Sequence, residues 1–307
     1  MASALSEAPV RAPAPAPASA RPGRRPRSVP GWLWALPPLA GLGLVFLYPL
    51  VLVGWQSVSP DTGGHSLAAW SDVLGSTAFH RALRTTVWVA AGSTAGCLLL
   101  GFYLAWVIAF VPFPGARLAG RFIDLFVALP SFLITLSLAF IYGSAGIANG
   151  AWTGLTGSHH TLFAFLTTPW GVLLAEITYF TPFVMRPLLA AFSQVDTAQI
   201  EAAASLGARP GRIVRQVILP EVLPALAAGG SLVLVMSLNQ FGIVLFTGAK
   251  DVTTLTLLVY SRAVLESDYP AACVIAVVNV VLSVALYSLY RLCLPRAGKE
   301  GGNRAGA

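Results

Sequence analysis

The chain has 307 residues, 56% of them hydrophobic and 10% charged, with a net charge of +7 and a mean hydropathy of +0.74. Soluble domains carry charge on roughly a quarter of their residues, so this composition excludes a soluble enzyme and describes an integral membrane protein. The positive charge implies no nucleic-acid partner, because the arginines sit in tails and in loops between apolar runs, where they set topology.

Residues 1–30, rich in Ala, Pro and Arg (RAPAPAPASARPGRRPR), cannot bury a core and read as a disordered tail. Trp32–Val53 is long enough to cross a hydrocarbon core of about 30 Å and longer than a secretory signal, so it reads as an uncleaved anchor. Residues 31–83 are then a first transmembrane helix with its outer loop. Further apolar runs at Thr85–Phe110, Phe122–Tyr142, Trp170–Ala191, Leu226–Thr247 and Ala271–Leu292 each have about the twenty residues that a spanning helix needs. The fold expected is all-α and integral to the membrane, with six transmembrane helices and a second tail at 293–307.

Six spans put both termini on one side. Fifteen basic residues fall on that side and four (Arg81, Arg84, Lys250 and Arg262) on the other, so both termini are expected in the cytoplasm. Outer loops then lie at 56–84, 143–169 and 248–270. The last of them runs into TLTLLVYSRAVLESDYPAA, whose apolar spacing predicts a short helix at the outer interface, either meeting an external partner or simply returning the chain.

One polar stretch breaks the apolar pattern, at residues 194–225 (QVDTAQIEAAASLGARPGRIVRQVILPEVLPA). Asp196 is placed to cap a helix, with Gln199 completing a capping box. Glu201 lies near the helix start, where a negative charge suits the dipole, and Ala202, Ala203 and Ala204 are strong helix formers. Gly207 can close the helix in the left-handed conformation. Pro210 and Gly211 then open a second short helix bearing Arg212 and Arg215, and Pro220 and Pro224 lead into the next span.

Glu201-Ala202-Ala203, then Gly207, then Leu219-Pro220, lying between two spans, resemble the EAA loop of the membrane subunits of ATP-binding-cassette (ABC) importers. Family members usually carry isoleucine where this chain has Val217. The resemblance to type I importer permeases runs from about Arg84 to Leu292, so 84–292 is expected to be the type I transmembrane domain, with a cytoplasmic EAA coupling loop. Longer phrases, among them VPFPG (111–115), ALPSFLITLSLAFIYGSAG (128–146) and AEITYFTPFVMRPL (175–188), resemble permeases of bacterial 2-aminoethylphosphonate importers. Sulfate, molybdate, polyamine and iron importers share the fold.

The resemblance implies a bacterial inner-membrane complex of two permeases, expected as a heterodimer, with two cytoplasmic ATPases and a periplasmic binding protein that delivers the cargo. Glu201, Ala202, Ala203, Gly207, Leu219 and Pro220 would couple the permease to the ATPase. The chain would bind no cofactor of its own, with ATP and magnesium on the partner ATPase.

The remaining chemistry is sparse. No Gly-rich loop ending in Gly-Lys-Ser/Thr occurs; the sole Gly-Lys pair, Gly298-Lys299, is followed by Glu300. No hydrolase elbow or zinc-protease motif occurs either, so the chain is not expected to be an enzyme. Cys97, Cys273 and Cys293 lack metal or redox spacing and read as packing residues. The adjacent pair His159-His160 does not have the spacing of a metal site.

Asp124, three residues after Arg121, reads as half of a snorkelling ion pair. Glu176 has no basic residue within a helical turn and needs a polar neighbour from another helix, a water-filled substrate pathway or a proton. In the pathway case it could meet the ammonium of a zwitterionic cargo; a stand-alone secondary carrier would use it as its ion site. Gly92 and Gly96 read as a close-packing pair, and Pro182 and Pro187 as the source of a kink.

Overall fold

The computed structural model describes residues 31–59, 66–112, 114–157, 165–250 and 252–293, which contain helices and no strand. Both expected tails and the pair His159-His160 lie outside these residues. The chain divides into two units, 1–50 and 51–307. Helix α1 (Gly31–Gln56) contains Pro37, Pro38 and Pro49 and is apolar all round, as a lipid-facing span should be.

In the second unit, α2 (Ala68–Gly75) leads into α3 (Thr77–Phe110). The Ser76 hydroxyl caps α3 by accepting from the Phe79 amide at 3.2 Å. The helix starts eight residues before the apolar run because its first two turns are amphipathic. Phe79 and Ala82 are buried with Leu255, Leu258 and Ile275, while His80, Arg81 and Arg84 face outward.

The third span departs from expectation. Phe122–Tyr142 is divided between α4 (Ala116–Ala128) and α5 (Ser131–Tyr142). Pro130 has no N–H to continue α4 and drives Leu129 out of the helical region, to φ −79°, ψ 139°. After the Gly143–Gly146 turn the chain continues as α6 (Ile147–Thr156), and the stretch long enough to span is Ser131–Thr156. The Asp124 side chain lies outside the described set, and with it the expected pair with Arg121.

Helix α7 (Pro169–Phe192) runs unbroken through Pro182 and Pro187. It is followed by α8 (Thr197–Ser205) and α9 (Pro210–Ile213). The second helix of the polar loop is not short. Helix α9 passes through a wide turn, Val214–Ile218, into α10 (Leu219–Leu238), making one span Pro210–Leu238.

The wide turn explains how Pro220 is tolerated inside this span. There the Leu219 amide reaches back five residues to the Val214 carbonyl, so the ladder has already shifted where the proline can donate nothing. At the other end the span stops at Leu238, nine residues before the apolar run does, and Gly242–Thr247 forms a separate helix, α11.

The short helix expected in the 248–270 loop is present as α12 (Leu255–Tyr260), extended by a wide turn over Ser261–Leu265; α13 (Tyr269–Cys293) is the last span. Helices α3, α7 and α10 pack most extensively on one another, and glycine permits this. Gly92 and Gly96 of α3 lie under Leu173 and Ile177 of α7, Gly101 under Val184, and Gly229 of α10 under the backbone of Val184.

Candidate functional site

Two features stand out by their chemistry: an exposed helix at one end of the unit and a buried carboxylate in its interior.

The exposed helix is α8. The Asp196 carboxylate accepts from the Ala198 amide at 2.9 Å and caps it. The reciprocal half of the expected capping box, from the Gln199 side chain, is not formed. At the other end the Gly207 amide donates to the Ala204 carbonyl (2.9 Å) and the Ala208 amide to Ala203 (3.1 Å). Gly207 itself sits at φ +77°. This is a Schellman closure, and it places glycine where a left-handed residue is needed.

No residue of α8 is fully buried. Ile200 and Ala203, with Ala208 beyond the turn, pack on a core cluster that contains Phe192, Val195, Ile213, Ile218 and Val222. The opposite face presents Ala198, Glu201, Ala202 and Ser205 to the outside, and Leu206 is 88% exposed. Leu206, the C-cap residue, thus adds an apolar side chain beside the small exposed face of α8. The polar loop hid it, although a lone leucine between Ser205 and Gly207 is a readable signal.

The structure brings Glu201, Ala202, Ala203 and Gly207 together on α8 and its closing turn. Leu219 and Pro220 lie apart from them, at the head of α10. What links the two segments is the cluster shared by Ala203, Val217 and Ile218, so Leu219-Pro220 shapes the span that α8 leans on.

The carboxylate is Glu176, the eighth residue of α7, about 10 Å along it at 1.5 Å per residue. Its side chain has no accessible surface. Ser93 of α3 and Ser237 of α10 both donate to its Oε2, at 2.6 and 2.5 Å. Of the three ways to accommodate this acid, the structure supplies polar neighbours from other helices. In this conformation the carboxylate cannot reach a cargo. Both serines escaped the sequence reading, because pairing over 83 and 61 residues leaves no local pattern.

A cavity of about 570 Å³ lies between α3, α4 and α7. Its wall is apolar apart from Thr178 and Thr181, whose hydroxyls bond to carbonyls of their own helix, so it offers nothing to a charged solute. Among the described residues, no three His, Cys, Asp or Glu side chains gather where they could hold a metal. Cys97 is buried, with its Sγ 3.8 Å from the Ile177 carbonyl.

At the far end of the unit, α12 and its wide turn are fastened by a Thr86 hydroxyl that accepts from the Leu255 amide at 2.8 Å. Arg262 pairs with Glu266 (2.8 Å) and Asp268 (3.6 Å), and Val264, Leu265 and Tyr269 are exposed beside them.

Among the described residues six apolar helices are long enough to cross a membrane; with the glycine-packed core and the exposed short helix they make an all-helical fold of the type I importer permease class. The chain belongs to the family of binding-protein-dependent transport system inner membrane components, whose model matches residues 97–299.

Over 266 residues the chain is 52% identical to a protein of Salmonella paratyphi A named as the 2-aminoethylphosphonate transport system permease PhnU, covering 87% of this chain and 92% of that one. It is 29% identical to the sulfate transport system permease CysT of Salmonella typhimurium, over 87% of this chain and 92% of that protein. A crystal structure of a bacterial ABC transporter that imports the acidic polysaccharide alginate has the same fold, with a TM-score of 0.69 at 17% identity, over 85% of this chain and 94% of that chain. The chain is therefore the permease of an ABC importer and not itself an enzyme. ATP hydrolysis resides on a separate subunit, and an ATPase and a binding protein are its partners.

Proposed function

We propose that this chain forms part of the translocation pathway for 2-aminoethylphosphonate, driven by a cytoplasmic ATPase that docks on α8. The observation that carries the docking is the two-sided character of α8. One side is small, exposed and bears Glu201 and Leu206; the other is keyed into the cluster joining α7 and α10. Glu201 and Ala202 lie in the ATPase groove, Ala203 seats the helix on the shared cluster, and Gly207 sets the angle at which the helix is presented. Leu219 and Pro220 hold the head of α10 against it.

Both termini and α8 lie on the cytoplasmic side, a reading supported by the fifteen-to-four bias of basic residues. Magnesium and ATP are bound by the partner ATPase. When ATP closes the ATPase pair, α8 moves with it, and the shared cluster passes the displacement to α7 and α10 as a rigid-body rotation. The binding protein delivers cargo at the opposite end, beside α12. The second permease is a related, non-identical subunit in the inner membrane.

The cargo reading rests on the 52% relative, against 29% to the sulfate permease; sulfate, molybdate, polyamines and iron are the alternatives. A stand-alone carrier would need an ion site, and its candidate, Glu176, has no accessible surface. Reconstitution with ATPase, second permease and binding protein tests the proposal. ATP-dependent uptake of labelled 2-aminoethylphosphonate, not competed by sulfate, is expected. Uptake by the chain alone without ATP would overturn the coupling, and competition by sulfate would overturn the cargo.

A further inference from the structure

The cavity of about 570 Å³ is lined by Leu100, Leu104 and Ile108 of α3, by Phe122, Ile123 and Phe126 of α4, and by one side of α7. Protein interiors are close-packed, and an apolar void of this size holds no ordered water, because water needs polar partners. The two hydroxyls in its wall, those of Thr178 and Thr181, already donate to carbonyls of α7 itself. The space therefore calls for apolar matter.

Its depth says which kind. Leu100 to Ile108 covers about 12 Å of α3 at 1.5 Å per residue, and Ile108 lies two residues short of the helix end at Phe110. That is most of one leaflet of a hydrocarbon core about 30 Å thick, on the side from which α4 starts and on which α7 leads into α8. Leu100 and Phe122, both exposed, mark the mouth on the flank of the helices and not at their ends. Because α3 and α7 meet at Gly101 and Val184, the cavity is a slot under α4 and not an open face for a further helix, 10–12 Å across with its side chains.

Helix α4 supplies a charge beside the slot. Leu118, Phe122 and Leu125 form an exposed stripe on it at helical spacing. Arg121 is exposed within one turn of Leu118 and Leu125, and it forms no ion pair among the described residues. This is the make-up of an interfacial helix, with apolar side chains in the acyl region and a guanidinium that reaches the headgroups.

We infer that the slot between α3, α4 and α7 seats one acyl chain of an anionic phospholipid, whose headgroup phosphate is held by Arg121. A guanidinium suits that phosphate because it can give two parallel hydrogen bonds to its oxygens. The seat lies in the leaflet on the α8 side. That this is the cytoplasmic leaflet rests on the proposed function; the binding does not.

Photolabelling of the full chain in nanodiscs tests the inference, with phosphatidylglycerol carrying a diazirine in its acyl chain as the probe and the exposed residues 44–47 of α1 as the reference. Label is expected within residues 100–108, 122–126 and 178–185. Dilution of the probe into phosphatidylcholine should lower the α1 label in proportion and the slot label by less. The same tail on a phosphatidylcholine headgroup should label the slot about fivefold less, the advantage of one arginine near an anionic leaflet, and Arg121→Gln should erase that difference. Leu104→Trp, which fills the slot, should remove label from 178–185 and leave it on α1. Slot label that dilutes in step with α1, equal labelling by the two headgroups, or label unchanged in Leu104→Trp would each overturn the inference. So would a crosslink to the second permease from a photoreactive residue at Ile123 in the assembled transporter. Should Leu104→Trp not fold, the dilution and headgroup comparisons decide the matter on the wild type.

Discussion

The amide of Ala208 donates to the carbonyl of Ala203 at 3.1 Å, and this bond turns the chain from the exposed face of α8 back under the membrane-spanning helices. The residue between them that makes the turn possible is Gly207, at φ +77°. A Cβ there would meet nothing within 4 Å, so the backbone angle, and not space, forbids other side chains.

Replacing Gly207 by valine should therefore cost roughly 1–2 kcal/mol locally, the penalty for a left-handed L-residue, and tilt α8 out of its seat. Uptake by assembled transporter should fall at least tenfold with normal membrane levels of the chain. Gly207→Asn, which tolerates that conformation, should keep most activity. Equal loss in both variants would count against the backbone argument.

Gly96 makes a different kind of prediction. A Cβ on it would press into the Ile177 side chain, whose Cγ1 would lie 2.8 Å away, so Gly96→Ala should destabilise by about 1–3 kcal/mol, the usual cost of overpacking. Shortening the neighbour, in Gly96→Ala/Ile177→Val, should recover part of that loss, because contacting residues do not add independently. Thermal melting in nanodiscs measures both; simple additivity would mean that the two helices do not meet there.

At the far end, Thr86 fastens α12 by accepting from the Leu255 amide while donating to the Ala82 carbonyl, both at 2.8 Å. Thr86→Val keeps the shape and strands a buried N–H, which costs about 1–3 kcal/mol. Faster proteolysis or hydrogen exchange within residues 252–265 should follow, with Thr86→Ser close to wild type. Unchanged exchange in Thr86→Val would show that the loop is held by other means.

How much of this was legible in the sequence depends on the kind of signal. Apolar length located all six spans, and Asp196 and Gly207 marked the ends of α8 by capping chemistry. The same measure failed at Pro130, because hydropathy runs on across a proline that the backbone cannot cross. It failed again at the head of α10, where Pro220 suggested a boundary and the wide turn of Val214–Ile218 absorbed it. Nothing local announced that Ser93 and Ser237 would meet on Glu176. Their convergence is set by how α3 and α10 pack on α7, and an unpaired acid in a span says only that partners are needed.

The Glu201 side chain is exposed and forms no ion pair among the described residues, so Glu201→Lys should change stability by less than about 0.5 kcal/mol. On the proposed docking, ATP-driven uptake should nonetheless fall to background, because the reversed charge would sit in the ATPase groove. Melting and uptake measured on the same preparation separate the two effects. Lost stability would assign Glu201 a structural role, and normal uptake would remove it from the coupling surface.

The most direct measurement places a photoreactive residue at Ala202 on the exposed face of α8, and another at Leu265 beside the Arg262 ion pairs, in the assembled transporter. The account predicts that the first crosslinks to the ATPase and not to the binding protein, and the second to the binding protein and not to the ATPase. Exchange of the two partners, or an Ala202 probe that never labels the ATPase, would contradict it.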